Sequence, residues 1–176
     1  MKKTKEQIKE DTDKIISSLK KHGSNLKQVA KDTGFSRQKI WRNIKRLEED
    51  GVICGYSTVI NQRKTDKRRF ILLLKRKCIP FSDGIDILDS SALQREAKLS
   101  RVEIEDVMLT NGYYDMVITV LAKSIVAVNS FNESLCYLFQ ALIDDIIVLD
   151  GLYQLQESGQ EVVPIGEVKK FYAMDY

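Results

Sequence analysis

The hydrophobic period changes once along this chain, and that change limits the folds open to it. Up to about residue 60 the apolar residues recur at helical spacing, whereas from Phe70 onward they come in short strand-like runs separated by single helical stretches. Between the two lies Asn61 to Arg69, NQRKTDKRR, which has no apolar periodicity and reads as a charged linker with a second role at phosphates. A helical domain over 1–60 and a mixed domain over 70–155 are therefore expected, with 156–176 as an extension. The 176 residues, 43% hydrophobic, have room for two small cores.

In the first part Ile8, Ile15, Ile16 and Leu19 mark a helix that Gly23 ends. Asn25 with Gln28 opens a second, short helix, and Thr33-Gly34-Phe35 breaks it. Ser36 is placed to cap a third helix carrying Ile40, Ile44 and Leu47, which runs through Asp50 to a stop at Gly51. Ala30, Gly34 and Ile40 give the small, glycine, aliphatic spacing of a helix-turn-helix: close helix crossing, a turn that favours positive φ, and an anchor for the third helix. Val52-Ile53-Cys54-Gly55-Tyr56 reads as a following strand, hence a winged or strand-extended variant.

Opposite the apolar stripe, the third helix carries Gln38, Arg42 and Lys45, flanked by Arg37, Lys39 and Arg46, with Trp41 at the stripe's edge. Glutamine can pair with adenine and arginine with guanine through two hydrogen bonds, while lysine suits phosphate as a point charge. Ser36, Arg37, Gln38, Lys39, Trp41, Arg42, Lys45 and Arg46 are therefore the candidate contacts to double-stranded DNA; the alternative is a solvated cationic face. Charge distribution favours DNA. Residues 1–77 hold 22 Lys/Arg against 9 Asp/Glu, or +13, while residues 78–176 hold 6 against 16, or −10.

Composition argues against catalysis. The single histidine, His22, would have to serve every imidazole-dependent site, so no metal, cofactor or catalytic residue is assigned. Cys54, Cys78 and Cys136 are odd in number and widely spaced, as expected of reduced thiols, and neither a membrane span nor a signal peptide is legible; a cytoplasmic protein is expected.

The second part reads as strand Phe70–Leu74, helix Ala92–Leu99, strand Val102–Leu109 with a phase change at Asp106 that suggests a bulge, strand Met116–Leu121, helix Val128–Leu142 and strand Ile146–Leu149. The order βαββαβ is a ferredoxin-like plan, so the fold class is α+β. Strands apolar at nearly every position imply that both sheet faces are covered, one by the helices and the other by a second copy of the chain. The turn Gly112-Tyr113-Tyr114-Asp115 offers backbone amides, aromatic surface and a carboxylate to a small effector; ordinary hairpin chemistry is the competing reading.

These parts together resemble the Lrp/AsnC (leucine-responsive, feast/famine) transcription regulators from about Asp13 to about Leu155. The resemblance is carried by Asp13-Lys14-Ile15-Ile16-Ser17-Ser18-Leu19, Val29-Ala30, Gly34-Phe35-Ser36, Leu47 to Ile53, Gly55-Tyr56, and the glycine-x-tyrosine-aspartate turn Gly112–Asp115. It implies a regulator of transcription whose βαββαβ (RAM-type) domain forms a homodimer, with further assembly to tetramers or octamers, and whose amino-acid effector sits near that turn. The chain departs from the family at Asn43 with Arg42, in the last strand without threonines, in a long stretch Phe81–Leu88 and in the tail Val162–Tyr176, where Val168, Phe171 and Tyr172 suggest docking. The fold also resembles siroheme decarboxylases, which use histidine, and a sensor without DNA binding is a further alternative. His22 alone argues against the first, and the cations of the third helix against the second.

Overall fold

The computed structural model describes residues 4–78 and 90–173, which divide into two compact units: one formed by 1–60 with 155–176, the other by 61–154. The stretch Phe81–Leu88 lies outside the described residues.

The first unit begins with α1 (Lys5–His22), opened by a reciprocal capping box in which the Thr4 hydroxyl accepts the Gln7 N–H and the Gln7 side chain accepts the Thr4 N–H. After Gly23, Asn25 caps α2 (Leu26–Thr33) by accepting the Gln28 N–H. Gly34 then takes the left-handed conformation, φ 71° and ψ 12°, and its N–H closes on the Ala30 carbonyl, so the turn needs a residue without a Cβ penalty. Ser36 caps α3 (Arg37–Glu49), and the stop comes where expected, with Gly51 at φ 67° and the Val52 and Ile53 N–H groups both donating to the Leu47 carbonyl. Ile15, Val29 and Ile40 are fully buried and Ile44 nearly so, which locks the three helices together.

The strand expected at 52–56 does not form; residues 53–61 have no regular structure. A strand requires a second strand for its backbone groups, and among the described residues none pairs with this segment. The tail from Leu155 belongs to this same unit. Gln156–Glu157 (β5) and Gln160–Glu161 (β6) form a small hairpin, the Gln160 side-chain amide donates to the Lys20 and Lys21 carbonyls at the end of α1, Val163 is buried, and α6 (Ile165–Ala173) follows.

The second unit is an antiparallel sheet in the order β2-β3-β1-β4, from β1 (Arg68–Arg76), β2 (Glu103–Leu109), β3 (Met116–Ala122) and β4 (Ile143–Asp150). Helices α4 (Ser90–Leu99) and α5 (Ile125–Leu138) cover one face. The expected βαββαβ order is present, and the register between β2 and β3 shifts between Ile104 and Asp106, where the bulge was anticipated. Phe70, Leu72, Ile118 and Val120 point into the core beneath Leu93, Val128, Phe131 and Leu135. Leu72 and Val120 face the helices; parity puts Ile71, Leu73, Val117 and Thr119 on the open face, level with Leu149 and Ile147 of β4.

The linker reading of 61–69 also needs correction. Gln62–Lys64 is a 3₁₀ turn, and Arg68 and Arg69 already belong to β1, because cross-strand partners fix their charges: Arg68 pairs with Asp150 at 2.9 Å and Arg69 grips Glu105 with two hydrogen bonds of 2.6 and 2.8 Å. Lys67 pairs with Glu103, and the Arg63 guanidinium lies 4.1 Å from the Tyr153 ring. These cations are held by their own unit.

Candidate nucleic-acid interface

Because α3 buries Ile40, Ile44 and Leu47, its opposite side turns to solvent and gathers Arg37, Gln38, Trp41, Arg42 and Lys45. The Arg37, Gln38 and Arg42 side chains are exposed and hold no hydrogen bond or ion pair among the described residues. Lys45 sits 5.7 Å from the Trp41 ring and 3.8 Å from Glu49, both weak, solvated contacts that a phosphate can displace. Trp41 is 54% exposed, so it does not pack in the core of this unit. The Ser36 hydroxyl accepts the Lys39 N–H at 3.3 Å and so fixes the first turn of the helix, where base reading would occur.

Lys39 and Arg46 face elsewhere. With Asn43 they form a second stripe at i, i+4, i+7, and that stripe meets the N-terminal half of α1. The Lys39 ammonium lies 2.8 Å from the Asp11 carboxylate and 3.2 Å from the centre of the Phe35 ring, and Arg46 donates to the Thr12 hydroxyl at 3.2 Å and to Asn43 at 3.4 Å. Their charge holds the helices in place. Sequence spacing put them on the flanks of the cationic face but gave no sign of Asp11, which lies 28 residues upstream of its partner.

The second candidate site, Gly112 to Asp115, sits between β2 and β3. The Asp115 carboxylate accepts the Arg76 backbone N–H at 2.8 Å and the Arg76 Nε–H at 3.0 Å, and its own backbone ties the turn to Leu74 and Thr110. The backbone bond from Arg76, followed by its guanidinium, holds the Asp115 carboxyl below the usual carboxylate range. Tyr113 is exposed, packs edge-on against Tyr114 and lies under the Lys75 ammonium at 4.0 Å. The carboxylate is thus engaged within the fold, and what the turn leaves exposed is the Tyr113 ring and Gly112.

Among the described residues no group of His, Cys, Asp and Glu is arranged to hold a metal ion, and no helix is long and apolar enough to cross a membrane. The family profile described as winged helix-turn-helix DNA-binding matches residues 12–53, from within α1 to just past the end of α3. An HTH-type transcriptional regulator, FL11, of Pyrococcus furiosus is 32% identical over 129 residues, covering 72% of this chain and 79% of the relative, and the FL11 regulator of Pyrococcus abyssi is 30% identical over 122 residues, covering 68% and 74%. Among solved structures, an AsnC family transcriptional regulator from Agrobacterium tumefaciens matches with TM-score 0.58 and 19% identity over 89% of this chain and 97% of that one. A feast or famine regulatory protein from M. tuberculosis complexed with L-methionine matches with TM-score 0.62 and 18% identity over 88% and 98%. With a helix-turn-helix whose outer face is cationic, a βαββαβ sheet and relatives of this identity and coverage, the chain belongs to the Lrp/AsnC family of DNA-binding transcriptional regulators.

Proposed function

We propose that this regulator binds its operator as a homodimer, reading DNA with Ser36, Arg37, Gln38, Trp41, Arg42 and Lys45. The observation that carries this reading is the division of labour on α3: Lys39 and Arg46 are tied to α1, while Arg37, Gln38 and Arg42 stand exposed and uncommitted. Gln38 and Arg42 supply the two-hydrogen-bond geometry for bases, and Lys45 with Arg37 supplies phosphate neutralisation. The dimer forms through the open sheet face, where Ile71, Leu73, Val117, Ile147 and Leu149 make a continuous apolar surface that a second copy would bury. Tetramers or octamers are further assemblies of that dimer. The protein acts in the cytoplasm, with the DNA it controls.

For the effector we propose a small amino acid bound against the Gly112–Asp115 turn, in keeping with the solved neighbours that hold L-methionine. Here Asp115 positions the turn through Arg76, and Tyr113 with the Gly112 backbone meets the ligand. Calorimetric titration with the twenty amino acids against wild type and Tyr113→Ala tests this reading. Loss of heat in the variant supports it, and undiminished heat removes the turn from the site.

Footprinting on the protein's own promoter should show protected half-sites about one helical turn, ~10 bp, apart. Leu73→Asp should dissociate the dimer in sedimentation and abolish tight operator binding while leaving the monomer folded, since Leu73 faces away from the core. A dimer that survives this change would refute the sheet-to-sheet arrangement.

A further inference from the structure

The helical unit contains a cavity that neither DNA reading nor the Gly112–Asp115 turn uses. It has a volume of about 610 Å³, within the range of small-ligand sites (~300–1,000 Å³), and lies between the second half of α1, the segment that leaves α3 and the C-terminal hairpin. Ile16 and Leu19 from α1 and Val59 from the leaving segment give it apolar walls. Lys20 and Lys21, both exposed, also line it, and no Asp or Glu is among the lining residues. The hairpin side is fixed in place, because the Gln160 amide donates to the Lys20 carbonyl at 3.3 Å and to the Lys21 carbonyl at 2.9 Å. Those bonds satisfy the carbonyls at the end of α1, and among the described residues neither ammonium group takes part in an ion pair or hydrogen bond.

From this chemistry we infer that the cavity is a second ligand site, specific for an apolar carboxylate: a medium-chain aliphatic acid whose tail lies on Ile16, Leu19 and Val59 and whose head meets Lys20 and Lys21. Apolar walls select the tail by the area they remove from water, and a lining that includes two lysines and no carboxylate, with the nearby Glu48 already engaged by the Tyr56 hydroxyl at 2.8 Å, selects the sign of the head. A primary alcohol of the same length lacks the charge, and an alkylammonium carries the wrong one. The site is independent of the amino-acid site proposed above, which lies in the other unit.

Cys54 provides the assay, since its exposed thiol lines this cavity while Cys78 and Cys136 lie in the other unit and serve as internal controls. The full-length protein is labelled with a maleimide in the presence of octanoate, octanol or octylammonium, and each cysteine is followed by peptide mass spectrometry. Octanoate should slow labelling of Cys54 alone, by the factor 1 + [L]/Kd, or about tenfold when ligand stands at ~10 Kd. Octylammonium should not slow it. Lys20→Glu/Lys21→Glu should lose protection by octanoate and gain protection by octylammonium, a reversal that damaged folding cannot produce. Val59→Trp, which fills the cavity, should lose protection while keeping the far-UV circular dichroism of the wild type. Absence of protection by octanoate, equal protection by all three head groups, or protection that rises with protein concentration and not with ligand would each overturn the assignment; the last would give the cavity to a second copy of the chain.

Discussion

Three lysine and arginine positions on one helix should fail in three different ways if α3 is oriented as described. Arg42→Ala removes an exposed guanidinium placed for two hydrogen bonds to a base, at a cost of ~1–3 kcal/mol, or about 5- to 150-fold in operator affinity, with relaxed preference at that base. Lys45→Ala removes a phosphate contact with no base information, so all sequences weaken together. The slope of log K against log salt should flatten by ~0.9 per chain and about 1.8 per dimer, so a fourfold rise in salt should cost the variant about tenfold less affinity than it costs wild type. Lys39→Ala should act on folding. It removes the ammonium that lies 2.8 Å from the Asp11 carboxylate, 16% exposed, and over the Phe35 ring, together worth ~1–2 kcal/mol once solvent screening is allowed for. Fluorescence anisotropy on a labelled operator at several salt concentrations measures the first two effects. Urea unfolding followed by the single tryptophan, Trp41, measures the third, because that side chain sits on α3 and reports this unit. A Lys39→Ala protein with unchanged urea midpoint and an Arg42-like loss of specificity would show that the DNA-facing side of α3 had been assigned wrongly.

The sheet unit offers two further tests. A Cβ at Gly151 would stand 2.7 Å from the Arg69 carbonyl oxygen, which already accepts the Gly151 N–H at 2.9 Å, so Gly151→Ala should cost ~1–3 kcal/mol and lower the sheet unit's calorimetric transition while the Trp41 signal is unmoved; an unchanged transition would refute the close approach. Asp115 has a folded pKa below its unfolded value of ~3.9, so its contribution is complete above that value and lost as pH falls through the folded pKa. Asp115→Asn should therefore flatten the acid limb of stability against pH, and an identical limb would mean that the Arg76 bonds do not persist in solution.

Legibility in the sequence followed the range of the interaction. Caps, the Gly34 turn and the α3 stripe depend on residues three to seven apart, and they are where periodicity placed them. The capping box at Thr4 and Gln7 has a local signature of the same range, as does the Ser158-Gly159 turn of the tail hairpin, with φ of 50° and 78°. Parity in β1 was not readable, because a run of five apolar residues shows no alternation, and only the placement of α4 and α5 decides that Leu72 is inside and Leu73 outside. Segment 52–56 has the composition of a strand, but a strand also needs a second strand, which composition does not report. Partners such as Lys39 with Asp11 or Arg68 with Asp150, 28 and 82 residues apart, leave no local mark at all.

The same limit governs the reading of charge. Cut at residue 77, the chain looks like a +13 half joined to a −10 half, as if one were built for a polyanion and the other to repel it. The compact units do not follow that cut. Residues 1–60 with 155–176 hold 16 Lys/Arg against 12 Asp/Glu, or +4, and residues 61–154 hold 12 against 13, or −1. Most of the apparent asymmetry comes from the cations at 63–77, which belong to the sheet unit; Lys67, Arg68, Arg69 and Arg76 pair there with Glu103, Asp150, Glu105 and Asp115. The tail also brings Glu157, Glu161 and Glu167 into the unit that carries α3. A unit at +4 attracts DNA only weakly as a whole, so its affinity must come from where the charge lies rather than how much there is. In the proposed reading that burden falls on the exposed face of α3, where Arg37, Arg42 and Lys45 stand together and the helix carries its acids at its far end, at Glu48 and Glu49. Binding built this way depends on docking one helix in register with base edges, so a few misplaced contacts cost a large share of the affinity, which is the behaviour required of a regulator that must leave non-specific DNA readily.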